Sequence, residues 1–400
     1  MKIQTMDISD VNKIVFLTGA TGLVGQSIIS KIIQADNSTS LVLLIRGNSE
    51  TEVKNRVNNI LSSLSPNIDF ERAKKRIIAI PGDITLNQLG LVDIDYQYLA
   101  SQITHIIHSA ASVKFHLSLE QARAVNLYGT KNVVALARLA QKEGQFKRLT
   151  HISTSYISGD QSGLIKEDEL DTGQKFSNTY EQAKFEAEQY IHQFSQELPF
   201  TIFRPSIIVA DSKTGVTPSF NGIYTPLRFI YRGIVTHMPG SSDTPLDIVP
   251  VDFISDALLY ILFKSKNSIG KTYHLAAGKD SAPKATEVAQ FAVDYFNQIL
   301  AQRKIPQIKF IPMTSYEDKK RLLNNRERRT LEALKEYVPH LKIKKFFDIT
   351  NTLAALKGTE ITPPPFKNYY RTLLQYCLVT DWGKRPVNSI STQIQHVAIS

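Results

Sequence analysis

Cysteine is almost absent from this chain of 400 residues, since Cys377 is the only one. A single thiol excludes an internal disulfide framework and a cysteine-rich zinc site. Cys377 lies in the segment YYRTLLQYCLV and is interpreted as a small residue of the core. A reaction that proceeds through a cysteine nucleophile is therefore not expected.

Long apolar runs are missing as well. The longest candidate, residues 248–263, is interrupted by Asp252 and Asp256, so no transmembrane helix is expected. The N-terminal segment MKIQTMDISDVNK lacks the apolar stretch of a secretory signal. Acidic neighbours are scarce around the histidines at positions 105, 108 and 116, which argues against a metal site. These absences predict a cytoplasmic protein without a bound metal.

Basic residues are concentrated late in the chain, and the formal net charge is +10. Such a run is usually a solvated helical face. The alternative is a surface that attracts an acidic carrier protein or makes a peripheral contact with a membrane. Both interpretations remain open, and no nucleic-acid partner is expected. The residues concerned are Lys319, Lys320, Arg321, Arg326, Arg328, Arg329, Lys342, Lys344 and Lys345.

The first half of the chain alternates apolar runs with amphipathic stretches, which is typical of a parallel sheet covered by helices on both faces. Runs such as LVLLI and THII are continuous and β-rich, as buried parallel strands should be. We therefore predict an α/β fold with a Rossmann-type doubly wound parallel sheet. The predicted strands are residues 13–18, 40–45, 76–80, 105–108, 148–153 and 201–204. The predicted helices are residues 23–35, 119–142 and 180–196.

The alternation weakens after about residue 205. Residues 205–250 are rich in Gly, Pro, Ser and Asp and are expected to form substrate loops. Residues 281–385 are interpreted as a smaller, mainly helical C-terminal region that acts as a substrate lid, and residues 386–400 as a polar tail. The main domain is therefore expected to span residues 1–280.

The first predicted strand runs into a glycine-rich turn and then into a helix, in KIVFLTGATGLVGQSII. The spacing GxxGxxG is a variant of the dinucleotide fingerprint, whose glycines allow a tight turn and a close approach of the pyrophosphate. The pyrophosphate would lie at the helix N-terminus, where N–H groups favour anions. The residues expected to contact the cofactor here are Gly19, Thr21, Gly22, Leu23, Val24 and Gly25.

The end of the second predicted strand indicates which dinucleotide is bound. A site selective for NAD places an acid there to hold the ribose 2′-hydroxyl. In this chain the strand LVLLI ends in Arg46, whose guanidinium suits a 2′-phosphate. NADP(H) is therefore favoured over NAD, with Arg56 as a second candidate contact. The alternative for Arg46 is an exposed strand-end arginine without a ligand.

Other strand ends share the same edge of the sheet and are expected to contact the rest of the cofactor. The loop GDI (82–84) follows the third strand and would meet the adenine. The loop HSAASV (108–113) follows the fourth and would lie beneath the nicotinamide ribose. The residues assigned from these loops and from the sixth strand end are Asp83, Ile84, Ser109, Ala110, Ala111, Pro205 and Ile207.

Tyr180 and Lys184 stand four residues apart in NTYEQAKFEAEQYI, so a helix places both on one face. The lysine ammonium and a positive nicotinamide are expected to lower the pKa of the phenol toward neutrality. Tyr180 would then exchange a proton with a carbonyl or alcohol oxygen during hydride transfer, and both residues would contact the cofactor. The spacing alone is not decisive, because Tyr260 with Lys264 and Tyr316 with Lys320 share it.

The strand before Tyr180 distinguishes it from the other two tyrosines. It lies in THISTSYISGD and ends in hydroxyl residues at the edge that the nicotinamide should reach. Thr154 would donate to the developing oxyanion, with Ser153 and Ser155 as competitors. If the strand continues, Ser155 should point to the opposite side from Thr154.

The order of these motifs resembles that of the extended short-chain dehydrogenase/reductases over about residues 13–275. The motifs are TGATGLVG, GDI, HSAA, VNLYGT, STSYISG, YEQAK, RPSIIV and VPVDF. The stretches LLIRG, GDITLNQLGL, HSAASVKF, HISTSYISGD and LDIVPVDF are similar to thioester reductase domains of carboxylic acid reductases and nonribosomal peptide synthetases, and to fatty acyl-CoA reductases. This resemblance implies that Thr154, Tyr180 and Lys184 are catalytic, that Asn126 supports them, and that Arg46 binds the 2′-phosphate.

The implied reaction is direct hydride transfer from NADPH to an acyl thioester carried by CoA or a carrier protein. It would give an aldehyde and, in a second round, an alcohol. With no adenylation or carrier region ahead of the fold, the chain is expected to take a preformed thioester. The alternative is an NADP-dependent ketone or nucleotide-sugar reductase or epimerase of the extended short-chain type. A protein that binds NADP without turnover is a third interpretation, but binding alone does not need Thr154, Tyr180 and Lys184.

Overall fold

The computed structural model of the chain describes residues 12–35, 38–47, 49–63, 70–300, 303–312 and 334–385. The strands in these ranges are β1 (Lys13–Thr18), β2 (Thr39–Ile45), β3 (Ile77–Pro81), β4 (His105–His108), β5 (Arg148–Ile152), β6 (Gly163–Ile165), β7 (Phe200–Pro205), β8 (Ile207–Val209), β9 (His237–Pro239), β10 (Ile248–Pro250), β11 (Thr272–Leu275), β12 (Lys309–Ile311) and β13 (Lys345–Phe347). The α-helices are α1 (Leu23–Ala35), α2 (Glu50–Ser63), α3 (Phe70–Lys75), α4 (Asp93–Gln102), α5 (Leu119–Arg123), α6 (Gly129–Glu143), α7 (Thr179–His192), α8 (Tyr224–Tyr231), α9 (Val251–Phe263), α10 (Ala285–Ile299), α11 (Thr350–Leu356) and α12 (Tyr370–Val379).

Seven parallel strands form the central sheet, in the order β11-β7-β5-β4-β1-β2-β3. The order reverses between β1 and β4, because the chain returns from β3 at one edge to place β4 beside β1. The predicted doubly wound α/β fold is confirmed. In such sheets ligands bind outside the carboxyl ends of the strands at the point of reversal.

The predicted elements agree closely with the observed ones in the first half of the chain. The bounds of β1, β4 and α1 are as predicted, and those of β2, β3, β5 and β7 differ by one residue at one or both ends. The seventh strand, β11, is not predicted, because its four residues TYHL contain no continuous apolar run. The helix predicted over residues 180–196 ends as α7 at His192.

The helix predicted over residues 119–142 is present but is not regular throughout. A π-helical turn, Ala124–Tyr128, separates α5 from α6. Asn126 occupies this turn with its side chain bonded to the backbone of Ser112, so the helix widens where it contacts the loop after β4. Single π-helical turns of this kind often occur at functional sites.

The two faces of the sheet are buried against different helices. Val15 and Leu43 belong to one core cluster, together with Ile28 of α1 and Ile254 of α9. Phe16 and its neighbours in β2 turn to the other face, which packs against α4 and α6. Side chains alternate between faces along each strand, so both layers hold the sheet rigid and position its edge loops.

The C-terminal part of the described chain returns to the main sheet domain. The strand β12 pairs with β9, and β13 pairs with β6. Helices α10 and α12 share a core with α8, in which Cys377 is fully buried as predicted. Burial raises the pKa of the Cys377 thiol, which keeps it protonated and unreactive.

The tail at 386–400 lies outside the described residues. None of the helices in the described ranges combines the length and apolar character required to cross a membrane.

Candidate active site

The glycine-rich turn brings α1 unusually close to β1 and to the loop after β4. Gly19 has a φ of +74°, and a Cβ there would lie 2.6 Å from the backbone nitrogen of Ala110. A Cβ on Gly25 would lie 2.2 Å from the carbonyl oxygen of Gly19. Only glycine permits these approaches, so the turn stays narrow and α1 begins at the edge of the sheet.

The N-terminus of α1 suits a negatively charged group. Its first turn contains no acidic residue, and the N–H groups and the dipole of a helix favour an anion there. Thr21 and Gly22 are exposed at this end, and Leu23 and Val24 are partly buried. The turn and the helix therefore fit the pyrophosphate of a dinucleotide cofactor.

The two arginines assigned to the 2′-phosphate differ in their surroundings. Arg46 directly follows β2 and its side chain is exposed at the carboxyl edge of the sheet. Arg56 lies on α2, where its Nε is 3.4 Å from Oε1 of Glu52. A phosphate at the sheet edge can meet Arg46 directly, whereas Arg56 would have to share its carboxylate partner.

The loop after β3 is held by its own contacts. The carboxylate of Asp83 accepts hydrogen bonds from the N–H and hydroxyl of Thr85, both at 2.9 Å. Ile84 is buried and packs against Gly129, where a Cβ would lie only 2.7 Å from the Cδ1 of Ile84. The side chain of Ile84 therefore contributes to the core, and Asp83 shapes the turn at the sheet edge.

The loop after β4 is positioned by the buried amide of Asn126. Its Nδ2 donates to the carbonyl oxygen of Ser112 at 3.0 Å, and its Oδ1 accepts from the N–H of Ser112 at 2.8 Å. The paired bonds hold residues 109–111 beside Gly19, with Ala111 exposed. Asn126 therefore fixes this loop, and the supporting role that the resemblance implies stays a prediction.

Thr154 lies just beyond β5, and its hydroxyl is close enough to the phenol of Tyr180 to act to lower the pKa of that phenol. Its Oγ1 also accepts from the N–H of Tyr156 at 3.3 Å and lies 3.5 Å from the carbonyl oxygen of Pro205. Ser155 points elsewhere and donates to the carbonyl of Arg204 at 2.7 Å. The hydroxyl beside Tyr180 is therefore that of Thr154 and not that of Ser155.

Ile207, at the start of β8, is partly buried, and its N–H donates to the carbonyl of Asp247.

Tyr180 occupies the first turn of α7, which Asn178 caps by accepting from the N–H of Glu181 at 2.9 Å. Burial raises the pKa of Tyr180 to about 12, and the neighbouring hydroxyl of Thr154 acts to lower it. Lys184 does not contribute to this shift, because its ammonium is bound to β5, and the lowering expected with a positive nicotinamide stays a prediction. The phenol is therefore protonated near neutral pH and can donate a proton.

Lys184 is almost completely buried one turn after Tyr180. Its Nζ donates to the carbonyl of Ile152 at 2.7 Å and lies 3.2 Å from Nε2 of His151. Burial lowers the pKa of Lys184 to about 7, while the negative charge of Glu188 opposes the shift. The ammonium of Lys184 is therefore held against β5, the strand that leads to Thr154.

An aromatic cluster that no sequence motif predicts lies next to Tyr180. The ring of Phe115 is 5.9 Å from that of Tyr180 and 6.1 Å from that of His340. Tyr156 meets His340 edge-on at 5.0 Å. His340 belongs to the C-terminal region, and its Nε2 is 3.8 Å from the carboxylate of Glu181. The C-terminal region thus supplies a wall of the site.

The late basic residues are not one solvated surface. Lys345 is buried and donates to the hydroxyl of Ser158 at 3.3 Å and to the carbonyl of Gly159. Lys344 pairs with Asp243, and Lys342 is exposed. The solvated interpretation is therefore wrong for Lys345, and the basic residues between 319 and 329 lie outside the described residues.

Across the described part of the chain, no cluster of three or more His, Cys, Asp or Glu side chains could hold a metal ion.

The strand order and the position of this site place the protein among the extended short-chain dehydrogenase/reductases, which use a nicotinamide cofactor. The chain belongs to the NAD-binding family described as "Male sterility protein", whose model matches residues 17–258. The resemblance inferred from the motifs is thereby confirmed.

Two curated relatives are fatty acyl-CoA reductases. The chain is 30% identical over 283 residues to fatty acyl-CoA reductase wat of Drosophila melanogaster, covering 62% of this chain and 53% of that protein. It is 24% identical over 353 residues to fatty acyl-CoA reductase 1 of Arabidopsis thaliana, covering 71% and 70%. The chain therefore spans about half the length of the insect relative.

Solved structures share the fold across almost the whole chain. The terminal R domain from the myxalamid PKS-NRPS biosynthetic pathway superposes with a TM-score of 0.79 at 26% identity, covering 94% of this chain and 93% of that one. UDP-glucuronic acid 4-epimerase from Bacillus cereus matches with a TM-score of 0.63 at 16% identity, covering 94% and 99%. The second likeness is one of fold alone.

Proposed function

We propose that the chain reduces an acyl thioester with NADPH, without an acyl-enzyme intermediate, and releases an aldehyde. The observation that carries this proposal is the position of Thr154 beside the phenol of Tyr180 at the carboxyl end of β5, with Lys184 one helical turn after Tyr180. Similarity to fatty acyl-CoA reductases and to an R domain supports a thioester substrate.

The chain's groups suit the reductive direction. NADPH, when bound, supplies the hydride that adds to the carbonyl carbon of the thioester. Thr154 and Tyr180 donate hydrogen bonds to the carbonyl oxygen, and Tyr180 delivers its proton as negative charge develops there. The carbon–sulfur bond of the resulting hemithioacetal then breaks, and the thiol leaves as the aldehyde forms. A partly buried phenol that remains protonated is a suitable donor for this step.

The thiol carrier is either CoA or the arm of a carrier protein. A thiolation-reductase di-domain has the same fold, with a TM-score of 0.70 at 20% identity, which supports a carrier-bound substrate. An acidic carrier protein or an anionic lipid surface would be attracted to the exposed late basic residues. A second reduction to the alcohol would use the same donors.

The test is NADPH consumption measured in parallel with long-chain acyl-CoA, acyl carrier protein thioesters, free aldehydes, ketones and nucleotide sugars. We expect turnover with thioesters and stoichiometric release of thiol. If turnover depends on an acidic carrier, the KM for carrier-bound substrate should rise with salt more than the KM for acyl-CoA. Turnover confined to ketones or nucleotide sugars would contradict the proposal.

We further infer that Arg46 makes the site selective for NADPH. Arg46→Ala is expected to raise the KM for NADPH about ten- to a hundredfold, because a charge-assisted bond to the 2′-phosphate is lost. The KM for NADH should change little, since NADH carries no such phosphate. Steady-state kinetics with both cofactors measure this difference.

Arg56→Ala is the matched control for Arg46→Ala. Arg56 already faces Glu52, so its loss should affect the KM for NADPH less. An equal rise in KM for NADPH and NADH in Arg46→Ala would remove Arg46 from the 2′-phosphate.

A further inference from the structure

Lys184 has few partners for a buried ammonium. Two of its three N–H directions are met on β5, by the carbonyl oxygen of Ile152 at 2.7 Å and by Nε2 of His151 at 3.2 Å. A buried charge needs such acceptors to remain charged. The imidazole of His151 is the only side chain that the described residues place within hydrogen-bonding distance of this ammonium.

The contact determines the state of the imidazole. Nε2 can accept from an ammonium only if it carries no proton, so His151 must be neutral with its proton on Nδ1. Burial, the charge of Lys184 and the neighbouring His108 all keep the pKa of His151 well below its ordinary value. This Nδ1 has no hydrogen-bond partner among the described residues. The contact with Lys184 is thus the one polar contact of this fully buried side chain.

His108 cannot supply the missing partner. Its Nδ1 lies 2.8 Å from the hydroxyl of Thr18 and its Nε2 lies 3.0 Å from the hydroxyl of Thr130. Its ring is 5.3 Å from that of His151 and tilted by 40°. The unpartnered N–H of His151 is therefore buried at a cost to stability, which a leucine at this position would avoid.

We propose that His151 is a positioning residue for the hydride-transfer site. As the neutral Nδ1–H tautomer it accepts from Lys184 and, with the carbonyl of Ile152, holds the ammonium against β5. The third N–H then remains for the cofactor ribose or for Tyr180. This inference rests on the proposed function.

The effect on pH dependence follows from the groups around Lys184. These are His151 on β5, His108 on β4 and Glu188 on α7. Burial lowers the pKa of Lys184 to about 7, so the ammonium is held only marginally near neutral pH. Removing an acceptor lowers this pKa further. The alkaline limb of activity, where the ammonium is lost, should therefore move to lower pH.

The experiment compares His151→Leu, which keeps the approximate volume, with His151→Gln, which keeps an acceptor at a similar reach. We expect His151→Leu to lower kcat about ten- to a hundredfold, the size of a lost hydrogen bond to a charged group, and to shift the alkaline limb downward. His151→Gln should restore most of kcat and the original pH profile. NADPH binding is followed separately by fluorescence titration.

His105→Leu is the matched control. His105 is also a buried histidine, but it lies at the amino end of β4, where its Nδ1 is 2.8 Å from the hydroxyl of Thr104. This variant should leave kcat and the pH profile unchanged. Equal profiles for the Leu and Gln variants at position 151, or an alkaline limb unmoved in His151→Leu, would overturn the proposal.

A spectroscopic measurement tests the tautomer without any substrate. In protein labelled with ¹⁵N-histidine, the signals absent from His151→Gln identify His151, and its Nδ1 should be protonated and its Nε2 unprotonated. A protonated Nε2 would overturn the proposal even in an active enzyme. If the protein shows no thioester reduction but the tautomer is as stated, the failure lies in the proposed function and not in the role of His151.

Discussion

Tyr180→Phe is expected to lower kcat for thioester reduction about a hundred- to ten-thousandfold, the usual contribution of a positioned proton donor. The variant keeps the ring that packs near Phe115 and loses only the hydroxyl that lies beside Thr154. Binding of NADPH should therefore remain. Single-turnover kinetics with a saturating thioester would measure the loss directly.

Tyr260→Phe is the control for this variant. Tyr260 and Lys264 have the same spacing as Tyr180 and Lys184, but they lie at the end of α9, which packs with α1 on the other side of the sheet. We expect full activity in Tyr260→Phe. Full activity in Tyr180→Phe would instead remove Tyr180 from the chemistry. The remaining pair with this spacing, Tyr316 and Lys320, lies outside the described residues.

The parts of the site that were predictable from sequence depend on short-range patterns. The glycine spacing and the strand before it locate the turn, because only glycine fits at positions such as Gly19 and Gly25. The rule that parallel strands end at one edge then brings Arg46 and Thr154 to the same side of the sheet. No contact between distant segments has to be known for these inferences.

The aromatic wall and the pKa values could not be predicted in this way. His340 reaches Tyr156 only because the C-terminal region returns along β6, and no local pattern encodes that path. The direction of the Tyr180 pKa depends on how much water burial removes and on where Lys184 points. Spacing predicted that Lys184 and Tyr180 share a helix face, but not that His151 and Ile152 receive the ammonium.

One buried carboxylate, that of Glu167 just after β6, bonds to the C-terminal region where that region returns to the sheet. It accepts a hydrogen bond from the N–H of His274 at 2.8 Å. It also accepts two from Thr352, one from the N–H at 3.2 Å and one from the hydroxyl at 2.9 Å. The N–H of Asn351 donates to it as well. Glu167 thereby joins the loop after β6 to β11 and to the start of α11.

Glu167→Ala is expected to lower the free energy of unfolding by about 4 kcal/mol, because several buried donors lose their acceptor at once. Burial raises the pKa of Glu167 from 4.5 to about 7. Ionisation is thus less favourable in the folded protein, so this group's contribution to stability falls as the pH rises from about 4.5 to 7. The variant should lose that part of the pH dependence. Chemical denaturation at pH 5 and pH 8 measures both effects.

Asp168→Ala is the control, since Asp168 is the exposed neighbour of Glu167. It should change stability by less than about 0.5 kcal/mol, as is usual at an exposed position. Because β13 and α11 directly follow the segment that carries His340, we also expect Glu167→Ala to raise the KM for thioester more than the KM for NADPH. Unchanged stability in Glu167→Ala would show that the C-terminal region is held to the sheet by its apolar contacts and strand pairing, without the need for this carboxylate.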